Sequence, residues 1–273
     1  MGEFRAAVAI ARKDLRIWLR YPINVAGQTF SPIYQSLVPA ILFGATFFVD
    51  GRAVGLETSA GTGDLAGFVV LGALVSGMVG AAFWGIAWSL RTEMDAGTLE
   101  PSWLTPTRRD TFVLGRALGA LATFAISEAV LLVIALWLFK PSFSPQAIQA
   151  LPAIAIAGVS LLGVGYLLTA AVMFMKEAGF FIDTTNFLFS SASGVAFPVT
   201  ALPALIQVVA YALPTTYALD LLRQHAIGSR PLFDPALEYV ALAAAAIVTF
   251  PLGRMAFNAA ERRLRVTGGL AQH

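Results

Sequence analysis

Six long apolar runs, separated by short polar intervals, dominate the chain: residues 30–49, 65–87, 112–139, 151–175, 179–199 and 235–257. Each approaches or exceeds the roughly 20 residues that a helix needs to cross hydrocarbon. The pattern predicts an all-α integral membrane protein with six transmembrane helices, the third long enough to tilt or project from the bilayer. Ahead of them, Phe4, Val8, Ala11, Leu15 and Trp18 recur at helical spacing, with Arg5, Arg12, Arg16 and Arg20 on the neighbouring face. That spacing predicts an amphipathic helix over residues 1–22, lying in the membrane interface with its arginines toward anionic headgroups and ended by Pro22. Its charges are spread along its length and no apolar core follows, so it does not read as a cleaved signal. Residues 202–222 are apolar too, but Pro203 and Pro214 frame only ten residues, which as a helix reach roughly 15 Å. They are expected to form re-entrant helices in the outer leaflet, between the fifth and sixth spans.

Composition agrees: 58% of the residues are hydrophobic and 12% charged, against about 25% charged in soluble domains. Of the 18 Lys and Arg residues, only Arg52, Lys140, Arg223 and Arg230 fall on the far side when the N-terminus is placed inside. The charge rule then puts both termini in the cytoplasm; the membrane is expected to be the plasma (inner) membrane of a bacterial or archaeal cell. The loops on the outer side, 50–64 and 140–150, are too short for a separate domain, so residues 1–273 read as a single membrane domain. With no cysteine, two distant histidines and no phosphate-binding Gly-x-x-x-x-Gly-Lys-Ser/Thr sequence, the chain offers no metal cluster, no cofactor site and no nucleotide loop of that type. No catalytic triad or paired carboxylates mark it as an enzyme, and its small net charge gives no footprint for nucleic acid.

Three features could carry chemistry. Residues 90–109 form a charged, Gly- and Pro-punctuated island between the second and third runs. Arg91, Glu93, Asp95, Glu100, Arg108 and Arg109 exclude it from hydrocarbon. It is expected to be a cytoplasmic segment bearing a short amphipathic acidic helix from about Thr92 to Leu99, shaped to dock another protein. Glu128, mid-way along the third run, must be protonated, paired or beside water; a hydrogen-bonded link to a neighbouring span competes there with a role in recognising a cation or moving a proton. In the fifth run, Asp183, Asn186, Ser190 and Ser193 fall within about 80° of one helix face, a stripe that faces either a partner helix or a watery path. Small residues at Gly72, Ser76 and Gly80, and at Gly115 and Gly119, are spaced for close helix packing.

The island carries a resemblance. Glu93-x-Asp95-x-Gly97-Thr98-Leu99-Glu100 followed by Thr105-Pro106 resembles the coupling segment of type-2 ABC exporter permeases, and the similarity to that family extends over the chain to Arg12-Lys13-Asp14-Leu15 and the series Phe197-Pro198, Leu202-Pro203, Leu213-Pro214-Thr215-Thr216 and Leu222-Arg223. The resemblance implies a permease half that binds no nucleotide itself. Residues 90–109 would dock on a separate ABC ATPase, present in two copies and binding ATP and Mg, and a second permease half, identical or different, would complete the path. The helices bearing Pro198, Pro203 and Pro214 would cap its outer gate. Asp183, Asn186, Ser190, Ser193 and Glu128 would border a path for an amphipathic or hydrophobic substrate: a drug, a lipid or a lipid-linked glycan. Two competing readings are a proton-coupled secondary transporter using Glu128 and Asp183, and a non-transporting membrane scaffold or lipid enzyme.

Overall fold

The computed structural model describes residues 2–32, 48–49, 52–99, 101, 104, 108–175 and 177–267. Apart from a minimal antiparallel hairpin pairing Phe48–Val49 with Arg52–Ala53, the described elements are helical. Helix α1 spans Gly2–Arg20 and α2 spans Pro22–Pro32, so Pro22 separates two helices, as the missing N–H of proline favours the first helical position. The expected first span, 30–49, falls almost wholly outside the described residues. After α3 (Val54–Ala60) comes α4, which runs Leu65–Asp95 with a π-helical turn at Phe83–Trp88. The Asp64 carboxylate starts α4 by accepting from the Gly67 N–H at 2.8 Å.

Helix α5 spans Arg109–Phe139, α6 Leu151–Val172 and α7 Ala178–Ala192. Then follow α8 (Ala204–Ala212), α9 (Pro214–Ile227) and α10 (Pro235–Thr267). Among the described residues four helical stretches are long and apolar enough to cross a membrane: α4, α5, Pro145–Val172 and Pro235–Leu264. Helices α8 and α9 meet at 89°, and make a fifth only if the bent pair counts as one.

Three boundaries differ from the sequence expectation. The second run does not end at residue 87; its helix continues to Asp95 and absorbs the first half of the separate helix expected over 92–99. The last helix continues past residue 257 because Glu261, Arg262 and Arg263 extend it on a polar turn beyond the apolar run. The fifth run was expected to be helical over 179–199, but α7 stops at Ala192. The Ser193 hydroxyl bonds back to the Phe189 carbonyl, and Gly194 adopts a left-handed φ of +82°. At 15 residues, α7 reaches roughly 22 Å, short of a hydrocarbon core of about 30 Å.

Packing is tightest where α6 crosses α10. A Cβ on Gly253 would overlap the Gly163 carbonyl, and one on Gly163 would overlap the Thr249–Phe250 backbone. The Ser160 and Thr249 hydroxyls hydrogen-bond beside this crossing at 3.1 Å. Of the glycines expected to serve packing, Gly115 and Gly119 admit α1 against α5 and Gly72 admits the Val195 carbonyl against α4, whereas Gly80 has only the Asn186 side chain at 3.8 Å. A buried cluster that includes Val79, Phe83, Leu161, Ile182, Leu221 and Leu242 ties α4, α6, α7, α9 and α10 together.

Candidate functional site: a charged end, a polar stripe and a buried bracket

One end of the helix bundle gathers the charged residues. Glu93, at the foot of α4, accepts from Lys13 Nζ of α1 at 3.2 Å and from an Arg116 guanidinium nitrogen of α5. The same guanidinium donates to Asp14 of α1 at 2.8 Å. Burial pushes the Asp14 carboxyl above its ordinary value, against the pull of Arg116 and Lys13. Two cations and two carboxylates thus join three helices in a neutral cluster. Beside it Arg109 meets Glu261 of α10 at 2.7 Å, Arg254 of α10 pairs with Asp110 of α5, and Arg91 donates to the Met175 carbonyl at 2.6 Å.

The residues of the resemblance motif acquire local roles here. The Thr98 N–H bonds the Glu93 carbonyl at 2.9 Å and the Gly97 N–H the Met94 carbonyl at 3.0 Å. With φ of +66° at Gly97, this is a Schellman stop, which needs a left-handed residue just past the helix. The Thr98 hydroxyl also caps the Glu93 carboxylate. Leu99 is buried in a cluster with Leu90, Met94, Val113 and Leu264, so it anchors the turn. Asp95 is exposed and paired with Arg91 at 2.9 Å. What faces outward is the cap itself, Asp95 to Thr98. Glu100, Thr105 and Pro106 lie outside the described residues.

The polar stripe shares one helix face, as its spacing predicts, but its surroundings divide it. Ser193 is buried and hydrogen-bonded to Thr215 of α9. Ser190 bonds Ser76 of α4 at 3.0 Å, and half-buried Asn186 sits near Gly80. Asp183 is exposed, flanked by exposed Phe180 and Phe187. The stripe therefore packs at one end and opens at the other. Glu128 of α5 is 8% exposed, fits the space left by the missing side chain of Gly77, and leaves Oε2 without a hydrogen-bond partner. The hydrogen-bonded link to a neighbouring span, one of the two alternatives for Glu128, is not present at that oxygen. Among the described residues no group of three or more His, Asp or Glu side chains is placed to hold a metal ion.

The opposite end holds a bracket that sequence reasoning missed. The Arg223 guanidinium of α9, 5% exposed, donates to the carbonyls of Gly194 at 2.8 Å, Val195 at 2.9 Å and Phe68 at 3.0 Å, and stacks on the Phe68 ring. It ties the turn after α7 to α4, which a rigid five-donor fork can do and a lysine cannot. In sequence it was visible only as the Leu222-Arg223 pair of the resemblance series, with Asp220 and Gln224 close by. Pro198, Pro203 and Pro214 each open a helical element: Val199–Ala201, α8 and α9. Thr216 and Tyr217 of α9 donate to the Ala210 and Tyr211 carbonyls, both at 2.6 Å, and hold the sharp α8–α9 corner.

Comparison with known proteins identifies the family of the chain. The family model for ABC-2 type transporters matches residues 6–226. Nodulation protein J of Sinorhizobium fredii is 25% identical over 252 residues, covering 89% of this chain and 89% of its own. The match takes in α1, the capped foot of α4 and the α8–α9 corner together, and by it the chain belongs to the ABC-2 type transporter family.

Proposed function

We propose that this chain is the permease subunit of an ATP-driven exporter, with six membrane helices and its charged end in the cytoplasm. A separate ABC ATPase, in two copies, docks on residues 90–109 and hydrolyses ATP, and a second permease half completes the path. The observation that carries this reading is the Glu93 cluster. The stem of the island is not a loose loop; it is bolted by Arg116, Lys13 and Asp14 to α1 and α5. A push on the exposed cap from Asp95 to Thr98 would therefore move three helices together, biasing an exchange between inward-open and outward-open states.

Exposed Asp183 supports a covered or watery face on α7. Its carboxylate beside Phe180 and Phe187 would be costly against lipid, so that face is assigned to the path and the second permease half. The helices following Pro198, Pro203 and Pro214 are assigned to the outer gate, dipping into the outer leaflet without crossing. The substrate class is amphipathic or hydrophobic. Copurification with a Walker-type ATPase, followed by substrate-stimulated ATP hydrolysis in liposomes, tests the reading. Transport driven by a proton gradient with no ATPase bound would replace it with a secondary transporter.

A further inference from the structure

At the end of the bundle opposite the Glu93 cluster, a small cavity of about 30 Å³ lies between α9, the end of α3 and the turn Val199–Ala201. It has room for one or two particles the size of water. Two side chains on its wall are more than nine-tenths buried, and each leaves a polar atom without a hydrogen-bond partner among the described residues. They are Arg223, 5% exposed, at Nε and Ser229, 7% exposed, at Oγ. The Ser193 and Thr216 hydroxyls, also on the wall, are engaged elsewhere: Ser193 with Phe189 and Thr215, Thr216 with the Ala210 carbonyl. Two groups able to donate therefore remain, and the guanidinium N–H can do nothing else.

Charge decides what suits them. Arg223 is a buried cation whose contacts are three backbone carbonyls and the Phe68 ring, all of them neutral. It forms no ion pair among the described residues. Asp220 shares the cavity wall, but its Oδ2 is held by the Gln224 amide at 2.7 Å and the Leu232 N–H at 2.9 Å. Exposed Arg230 adds a second positive charge to the lining. A buried charge ordinarily persists by being paired. Water would satisfy both donors and leave the Arg223 charge unmatched.

We propose that this cavity binds one small monovalent anion, of the size of chloride, held by the Arg223 Nε–H and the Ser229 hydroxyl. There the anion completes the bracket by which Arg223 joins α9 to the turn after α7. The volume shuts out phosphate esters and larger carboxylates, so the site is distinct in kind from one for lipid headgroups or substrate. Its formation needs only the folded chain and no ATPase.

The test is thermal unfolding of the full-length chain in uncharged detergent at constant ionic strength, with chloride exchanged for gluconate, which is too large for the cavity. The melting temperature should rise with chloride, on the order of 3 °C for each tenfold increase above the dissociation constant. Ser229→Ala should raise the chloride concentration required by roughly tenfold or more, through loss of a hydrogen bond to a charge. Ser229→Asp, which brings a carboxylate of its own to Arg223, should melt at low chloride as the unaltered protein does at high chloride. It should respond little to added ion. Equal melting of the unaltered protein in chloride and gluconate would overturn the proposal and leave the cavity to water. So would a chloride response of full size in Ser229→Asp, or an unshifted one in Ser229→Ala, since either would mark the effect as general binding at the surface.

Discussion

Glu93 lies in the motif that resembles a docking segment, yet its carboxylate points into the protein, and a charge-reversal experiment has to be read accordingly. Its oxygens accept from Arg116, from Lys13 at 3.2 Å and from Thr98. Glu93→Gln removes one of the two negative charges that balance Lys13 and Arg116, while Asp14 still holds Arg116 at 2.8 Å. Losing charge-assisted hydrogen bonds at a half-buried position costs about 1.5–2 kcal/mol. Glu93→Lys adds repulsion instead. Like charges about 4 Å apart at an effective dielectric constant near 20 interact by roughly 4 kcal/mol, an upper bound because the new side chain can swing toward water. Thermal unfolding of the purified chain in detergent should therefore fall modestly for Glu93→Gln and more for Glu93→Lys. Combining either with Arg116→Gln should give a coupling energy of about 1–3 kcal/mol. A mutant cycle that is additive within about 0.5 kcal/mol would refute the cluster as the joint between α1, α4 and α5. Loss of ATPase binding with unchanged melting would instead make Glu93 a contact residue.

At the α6–α10 crossing, Gly253→Ala should destabilise the protein by about 1–3 kcal/mol through overpacking against the Gly163 carbonyl, seen as a lower melting temperature. Gly2→Ala, with open space around it, should not. Arg223→Gln should leave at least one of three buried carbonyls unpaired, at about 1–3 kcal/mol each, and Arg223→Lys should rescue poorly; equal melting of all three proteins would dismiss the bracket. Replacing Glu128 by Leu should preserve or raise stability, since Oε2 has no partner to lose; a transport defect in that stable variant would then report on the carboxyl alone, and wild-type transport would remove Glu128 from the path. Cysteines at Gly61 and Ser144 should label from outside intact cells and one at Ala96 should not, and the reverse pattern would invert the orientation.

Much of the helical layout was legible in the sequence because it depends on local chemistry. Long apolar runs marked α4, α5, α6 and α10 through the length of a bilayer. Pro22 marked the end of the first helix, Pro203 and Pro214 framed the short one between them, and the stripe spacing placed Asp183, Asn186, Ser190 and Ser193 on one face through the helical period. Other features depend on contacts between residues far apart in the chain. Periodicity could not show that Glu93 turns inward, because Arg116 and Lys13, its partners, lie on other helices. It could not end α7 at Ala192, where the bond of Ser193 to Thr215 and the Arg223 contacts to Gly194 and Val195 hold the turn. Nor could it divide the stripe between packing and exposure, or set apart the face of α1 that packs against α5. A sequence period specifies which residues share a side of a helix; what that side meets is decided only when Gly77, Gly115, Gly163 and Gly253 let particular neighbours approach.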